Sequence, residues 1–198
     1  YDLAGFVVGV AEKYKLITGE RVRPGDRVIG LPSSGLHSNG YSLVRRVIFE
    51  EAGLAVDDSL STYGIDRTVG EELLEPTRIY VRPVTRVLNH YKRKQIVHAI
   101  AHITGGGLPD NLPRVLPPGC RIRLERSAWS VPAIFDVVRR LGNVEEEEMF
   151  HVFNMGIGLA LIVPPYFVDS VLRQLEREGE DPRLIGEVIE GERGVDIV

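Results

Sequence analysis

Nine consecutive apolar residues, Met155-Gly156-Ile157-Gly158-Leu159-Ala160-Leu161-Ile162-Val163, end abruptly at Pro164-Pro165. The run is far shorter than the roughly 20 apolar residues of a membrane-spanning helix. It has no polar alternation, so 157–163 reads as a strand buried within a sheet. Such a strand needs partners at both edges and helices against it. The sequence predicts further strands at 1–10, 27–31, 95–101, 120–124, 184–189 and 195–198. Helices are expected at 41–52, where Tyr41, Val44 and Ile48 share a stripe before Gly53, and at 83–90, 109–115, 131–141, 145–150 and 165–178, with a helical turn at 71–75 stopped by Pro76. Strands and helices mix without a strict repeat. The expected class is α+β, a mixed β-sheet with helices packed on it in layers.

Composition narrows the function. The 24 Lys and Arg stand against 28 Asp and Glu, a net charge of -4 with no basic cluster, which argues against nucleic acid as a partner. Cys120 is the single cysteine, so neither an internal disulfide nor a cysteine-built zinc site can form, and the usage fits a reducing cytoplasm. The opening Tyr1-Asp2-Leu3-Ala4-Gly5 has no basic-then-apolar signal pattern, and no membrane partner is expected. The absent initiator Met predicts an expressed piece, a proteolytic piece or a segment of something longer.

Two glycine-bearing bends carry the chemistry. The first, Ser33-Ser34-Gly35-Leu36-His37-Ser38-Asn39-Gly40, lies between a strand and a helix. Unpaired N–H groups at a helix start favour an anion; Ser34, Ser38 and Asn39 add donors, and His37 adds a possible proton carrier. A tight turn capped by Ser38 or Asn39 accounts for the residues equally well. The second, His102-Ile103-Thr104-Gly105-Gly106-Gly107-Leu108-Pro109, holds three glycines in a row, a costly arrangement for a plain turn, and reads as a backbone nest for phosphate. Neither bend is a Walker A loop. His98 and His102 lack a third ligand for a metal. Of the run Glu145-Glu146-Glu147-Glu148, most should be a solvated helix start, with one residue available to a ligand or magnesium. Asn154 and Gly156 precede the buried strand, where loops often touch ligands. Trp129 and Cys120 read as packing residues. Arg78, Tyr80 and Arg82 could reach phosphate, although surface pairing is the commoner fate.

Taken in order, Tyr1-Asp2-Leu3-Ala4-Gly5-Phe6, the His37-Ser38-Asn39-Gly40 element, Pro76-Thr77-Arg78-Ile79-Tyr80-Val81, His102-Ile103-Thr104-Gly105-Gly106-Gly107 and Phe153-Asn154-Met155-Gly156-Ile157-Gly158 resemble the C-terminal half of the aminoimidazole ribonucleotide synthetase (phosphoribosylformylglycinamidine cyclo-ligase) family. The His-Ser-Asn-Gly element alone is shared with formylglycinamide ribonucleotide amidotransferase, selenophosphate synthetase, thiamine-monophosphate kinase and a hydrogenase maturation protein. The resemblance implies an ATP- and magnesium-dependent cyclo-ligase of purine biosynthesis, homodimeric, with nucleotide and substrate in a cleft between two domains. It implies that 1–13 is the last strand of an N-terminal ATP-binding domain outside this chain, which would hold most of the ATP and Mg2+, and that 14–198 is the C-terminal domain, inactive alone. The expected site residues are His37 and His102 for catalysis, and Ser34, Gly35, Ser38, Asn39, Gly40, Thr104, Gly105, Gly106, Gly107 and Asn154 for substrate or phosphate; the metal ligands are unassigned. Alternatives are another ATP-using member of the superfamily, or a non-catalytic binding domain. All of these readings require the two bends to converge on one hollow.

Overall fold

The computed structural model describes residues 4–91 and 94–198. The apolar run forms β4 (Ile157–Val163), buried at every residue. It lies between β1 (Arg27–Pro32) and β2 (Ala99–His102) and is antiparallel to both. With β3 (Cys120–Leu124), β5 (Arg183–Glu190) and β6 (Val195–Ile197), the sheet runs in the order β2-β4-β1-β5-β3-β6. β3 and β6 pair in parallel and the other pairings are antiparallel.

A strand that is apolar at every position must feed two cores, because successive side chains point to opposite faces. Ala160 and Ile162 join Val28, Val44, Ile48, Phe135, Val138, Met149 and Phe153 in one cluster. Leu159, Leu161 and Val163 join Ile29, Leu31, Val84, Val87, Val171 and Leu175 in the other. The first cluster is covered by α1 (Tyr41–Arg45), α2 (Val69–Leu73), α4 (Gly107–Asn111), α5 (Ala133–Leu141) and α6 (Glu146–Val152). The second is covered by α3 (Val81–His90) and α7 (Val168–Arg177). This is the layered α+β architecture that the patterning predicts.

Some boundaries differ for identifiable reasons. The helix expected over 41–52 forms, but Arg46–Glu51 is π-helical, and Gly53 follows with φ +66°. α2 starts before the expected turn because Thr68 and Glu71 make a reciprocal capping box. The strand expected at 95–101 pairs only over Ala99–His102: Ile96 and Val97 are buried in the second core without joining the ladder, and burial alone does not distinguish the two. The strand expected at 1–10 finds no partner among the described residues. Residues 1–3 lie outside the described residues, and 4–12 have no strand pairing, with Phe6, Val7, Val8 and Val10 exposed. Apolar, β-branched composition does not make a strand without an edge to pair with.

Candidate functional site

Because β1 and β2 both run against β4, their C-terminal ends emerge together beside the start of β4. The first bend leaves β1, the second leaves β2, and one strand separates them, a span of about 10 Å at two strand spacings. Both are pinned to β4: Ser33 N donates to Gly156 O at 2.9 Å and Ile103 N to Gly158 O at 2.9 Å. The topology therefore places the two bends side by side at one end of the sheet.

Buried asparagines hold each bend in shape. Asn154, fully buried, donates from Nδ2 to Gly35 O (2.9 Å) while Oδ1 accepts from Ser33 Oγ (2.9 Å) and Gly156 N (2.8 Å). Enclosed in this way, it braces the bend from within the protein. Asn111 does the same for the second bend, donating from Nδ2 to Thr104 O, Gly105 O and Gly107 O at 3.2, 3.2 and 2.8 Å and accepting from Thr104 Oγ1 at 3.2 Å. Asn111 escaped the sequence reading because no local pattern marks a brace that closes onto residues four to seven positions earlier. In a trans peptide, C=O and N–H point in opposite directions, so gripping the carbonyls of Thr104 and Gly105 turns the N–H groups of Gly105 and Gly106 away from Asn111. These two amides, and those of Tyr41, Ser42 and Leu43 at the start of α1, have no acceptor among the described residues.

The glycines divide by role. Gly40, at φ +69°, would put a Cβ 2.3 Å from Phe153 Cε1, and Gly107, at φ +56°, would put one 1.8 Å from Phe150 O; the protein itself fills these positions. Gly106, at φ +92°, faces the Asp110 side chain. Gly105 is open, with nothing within 4 Å, and Gly35 (φ +144°) meets only Glu72 Oε1 at 3.9 Å. Of the three glycines expected to face a ligand, Gly105 is the open position, while Gly106 and Gly107 pack at the entry into α4. The hydroxyls are also engaged: Ser34 Oγ donates to Pro76 O (2.6 Å), and Ser38 Oγ shares a hydrogen bond with Thr77 Oγ1 (3.0 Å). Asn39 is half-buried and Ser38 exposed.

His37 takes φ +55° and is 3% exposed. Its Nε2 accepts from Ser34 N (3.2 Å) and from Arg78 N (3.5 Å), while Nδ1 is buried without a partner. Burial, then the neighbouring His102 and Arg78 charges, push its pKa down to about 4. A neutral ring whose Nε2 is already an acceptor organises the bend; it does not arrive with a proton to give at neutral pH. The folded value lies below the unfolded one of about 6.5, so His37 contributes stability above that value which is lost as pH falls towards 4. Denaturant unfolding of the wild type should weaken by about 2 kcal/mol over that window, and His37→Asn, which tolerates positive φ, should flatten this dependence. An unchanged pH slope in the variant would contradict the assignment.

Tyr80, 5% exposed, donates to Pro32 O at 2.8 Å and stands between His37 and His102, with ring centroids 6.2 and 6.3 Å away. It approaches β4 where Gly158 is an extra residue in the ladder: Leu31 pairs with Leu159 and Pro32 with Ile157. Arg78 pairs with Glu180 at 2.9 Å, the pairing outcome weighed against phosphate contact. His102 is exposed at the end of β2. It lines a 410 Å³ cavity with Thr77, Arg78, Ile79, Tyr80, Val81, Val84, Thr85 and Leu159. His98 instead pairs with buried Asp26, Nδ1 to Oδ2 2.7 Å, at the opposite end of the strand. The four glutamates at 145–148 are all exposed, and no cluster of three or more potential metal ligands occurs among the described residues. The residues present do not form a magnesium cage. Trp129 and Cys120 are packing residues as expected, with Trp129 Nε1 donating to Met155 O at 2.9 Å. Among the described residues, no helix is long and apolar enough to cross a membrane.

Comparison with known proteins agrees with this arrangement. The family described as "AIR synthase related protein, C-terminal domain" matches residues 23–198. The phosphoribosylformylglycinamidine cyclo-ligase of Geobacillus thermodenitrificans is 54% identical over 191 residues, covering 96% of this chain and 54% of the relative. That of Citrifermentans bemidjiense is 50% identical over 198 residues, covering 100% of this chain and 55% of the relative. The chain thus spans about half the length of these curated relatives. Among solved structures, E. coli HypE matches with a TM-score of 0.55 at 22% identity, over 90% of this chain and 48% of that one. Thiamine-monophosphate kinase from Stenotrophomonas maltophilia matches with a TM-score of 0.55 at 15% identity, over 91% and 52%; these two share the fold. With a topology that brings both bends to one end of the sheet and a family match over nearly its whole length, this chain belongs to the AIR synthase related family as its C-terminal domain.

Proposed function

We propose that the chain is the C-terminal portion of an ATP-dependent cyclo-ligase that converts formylglycinamidine ribonucleotide to aminoimidazole ribonucleotide in cytoplasmic purine synthesis. The observation that carries the reading is the pair of braced bends at one sheet end, each presenting unpaired N–H groups, in a chain about half identical to cyclo-ligases along its whole length. In this reaction the substrate amide oxygen takes the γ-phosphoryl group of ATP. A neighbouring nitrogen then attacks the activated carbon, and phosphate leaves carrying that oxygen. Chemistry of this kind asks a protein mainly for placement and for donors around migrating negative charge. Here the amides of Gly105, Gly106 and the start of α1 supply donors, Asn39 adds a side chain, and Asn111, Asn154 and neutral His37 keep the bends in place. Residues 1–13 fit the last strand of a further, ATP-binding domain, and 14–198 the C-terminal domain; magnesium and most ATP contacts belong with that further domain, as does a homodimer.

The test joins this chain to the N-terminal part of the Geobacillus relative and measures ATP-dependent formation of aminoimidazole ribonucleotide. The chimera should be active and the chain alone inactive. A folded chimera that releases ADP with selenide or thiamine monophosphate, and not with formylglycinamidine ribonucleotide, would assign a different superfamily activity. Within the chimera, Gly105→Val should leave unfolding within about 0.5 kcal/mol of the parent, as expected at an open surface position, and lower kcat/KM at least tenfold. Gly106→Val is a poorer probe, since φ +92° and Asp110 make it a folding variant as well.

A further inference from the structure

The 410 Å³ cavity beside the first bend is stitched to that bend along one wall. Ser34 Oγ bonds Pro76 O, Ser38 Oγ meets Thr77 Oγ1, Arg78 N reaches His37 Nε2, and Tyr80 Oη bonds Pro32 O. Bend and cavity wall therefore form a single unit. The cavity differs in chemistry from the bend. Ile79, Tyr80, Val81, Val84 and Leu159 give it apolar sides. Its one guanidinium, Arg78, is held at 2.9 Å by Glu180, whose side chain is 7% exposed, so the charge is answered within the protein. Polar features left for a ligand are the Thr85 hydroxyl and the His102 imidazole, which makes no hydrogen bond among the described residues. A slot of this volume with apolar walls and few polar groups suits an uncharged ring better than an anion.

We propose that this slot receives the uncharged, planar nitrogen-containing end of a ribonucleotide whose phosphate-bearing end lies along the bends, with His102 as the polar contact that sets specificity for the ring. The inference rests on the functional reading above and adds a location and a residue to it. His102, expected to be catalytic, becomes a specificity contact at the mouth of the slot, and the exposed Ile79 and Val81 form its apolar rim.

The test compares two probes on the 198-residue chain by calorimetry: aminoimidazole ribonucleotide, which carries a ring, and ribose 5-phosphate, which does not. The wild type should bind the first at least tenfold more tightly. Thr85→Trp, a surface position on α3 that fills the slot, should remove that preference while leaving ribose 5-phosphate affinity within about twofold. His102→Ala, on an exposed edge position, should weaken the ring-bearing probe alone by threefold or more, which keeps the test intact if the tryptophan variant does not fold. Equal affinity of the wild type for both probes overturns the slot and leaves the bends standing. Loss of affinity for both probes to the same extent in both variants also overturns it. Absence of binding by either probe overturns the reading of the bends, and the slot with it.

Discussion

Gly107→Ala is expected to leave little or no folded protein. A Cβ at this position falls 1.8 Å from Phe150 O and 2.6 Å from Phe153 O, and both obstacles are backbone. No rotamer change relieves the overlap, so α4 and the end of α6 must separate. Leu108 and Leu112, both fully buried behind Gly107, would lose their packing with that movement. Overpacking costs typically 1–3 kcal/mol and sometimes more, and a left-handed conformation adds about 1 kcal/mol for a residue other than glycine. The sum, about 4 kcal/mol or more, approaches the lower end of the roughly 5–15 kcal/mol that stabilises a domain. Circular dichroism and denaturant titration would read the loss. A variant with wild-type unfolding would show that α4 does not pack as described. The contrast with Gly105, two residues earlier and open, separates a glycine kept for packing from one kept for access.

Gly158→Ala should injure the site more selectively. The added methyl group would sit 2.0 Å from Tyr80 Oη and 2.6 Å from His37 Cε1. The tyrosine must swing out and surrender its bond to Pro32 O, which contributes about 1 kcal/mol, and the overlap adds about 2 kcal/mol. A total near 3 kcal/mol corresponds to a fall in Tm of roughly 6–12 °C for a chain of this size. The first bend, which hangs on His37 and Pro32, should lose its shape before the fold is lost. Ribonucleotide affinity below the new Tm should therefore fall at least tenfold. A variant with lowered Tm but full affinity would show that Tyr80 and His37 do not organise the bend. Tyr80→Phe separates the contributions, since it removes the hydroxyl without adding the methyl group and should lower stability by about 1 kcal/mol.

The sequence made some of this legible for physical reasons. Ile157–Val163 and Cys120–Leu124 appear in the structure over the residues that patterning marks, because uninterrupted apolar or alternating runs carry their own signal. Both bends were visible as glycines and small polar residues between a strand and a helix. Their adjacency is expected only through the resemblance, since it depends on β2 and β1 both pairing with a strand more than fifty residues later in the chain, and no local pattern encodes pairing. The same reason hid Asn111 as a brace and made Asn154 look like a ligand contact: composition identifies a hydrogen-bonding residue but not the direction in which it faces. His37 illustrates the limit. As a lone histidine in a glycine bend it suggests a proton carrier; its 3% exposure and the two backbone N–H donors on one ring nitrogen are visible only in the fold. The strand expected at 1–10 is unpaired among the described residues, since pairing requires a partner strand that they do not offer.

Titration of the 15N-labelled chain with aminoimidazole ribonucleotide, followed through backbone amide shifts, tests the central claim most directly. The account predicts that Gly105 and Gly106 move together with residues 38–43, with one shared dissociation constant, while the amides around Asp26 and His98 at the far end of the sheet stay still. Shifts confined to one bend, two different constants, or a response centred on the far end would contradict it.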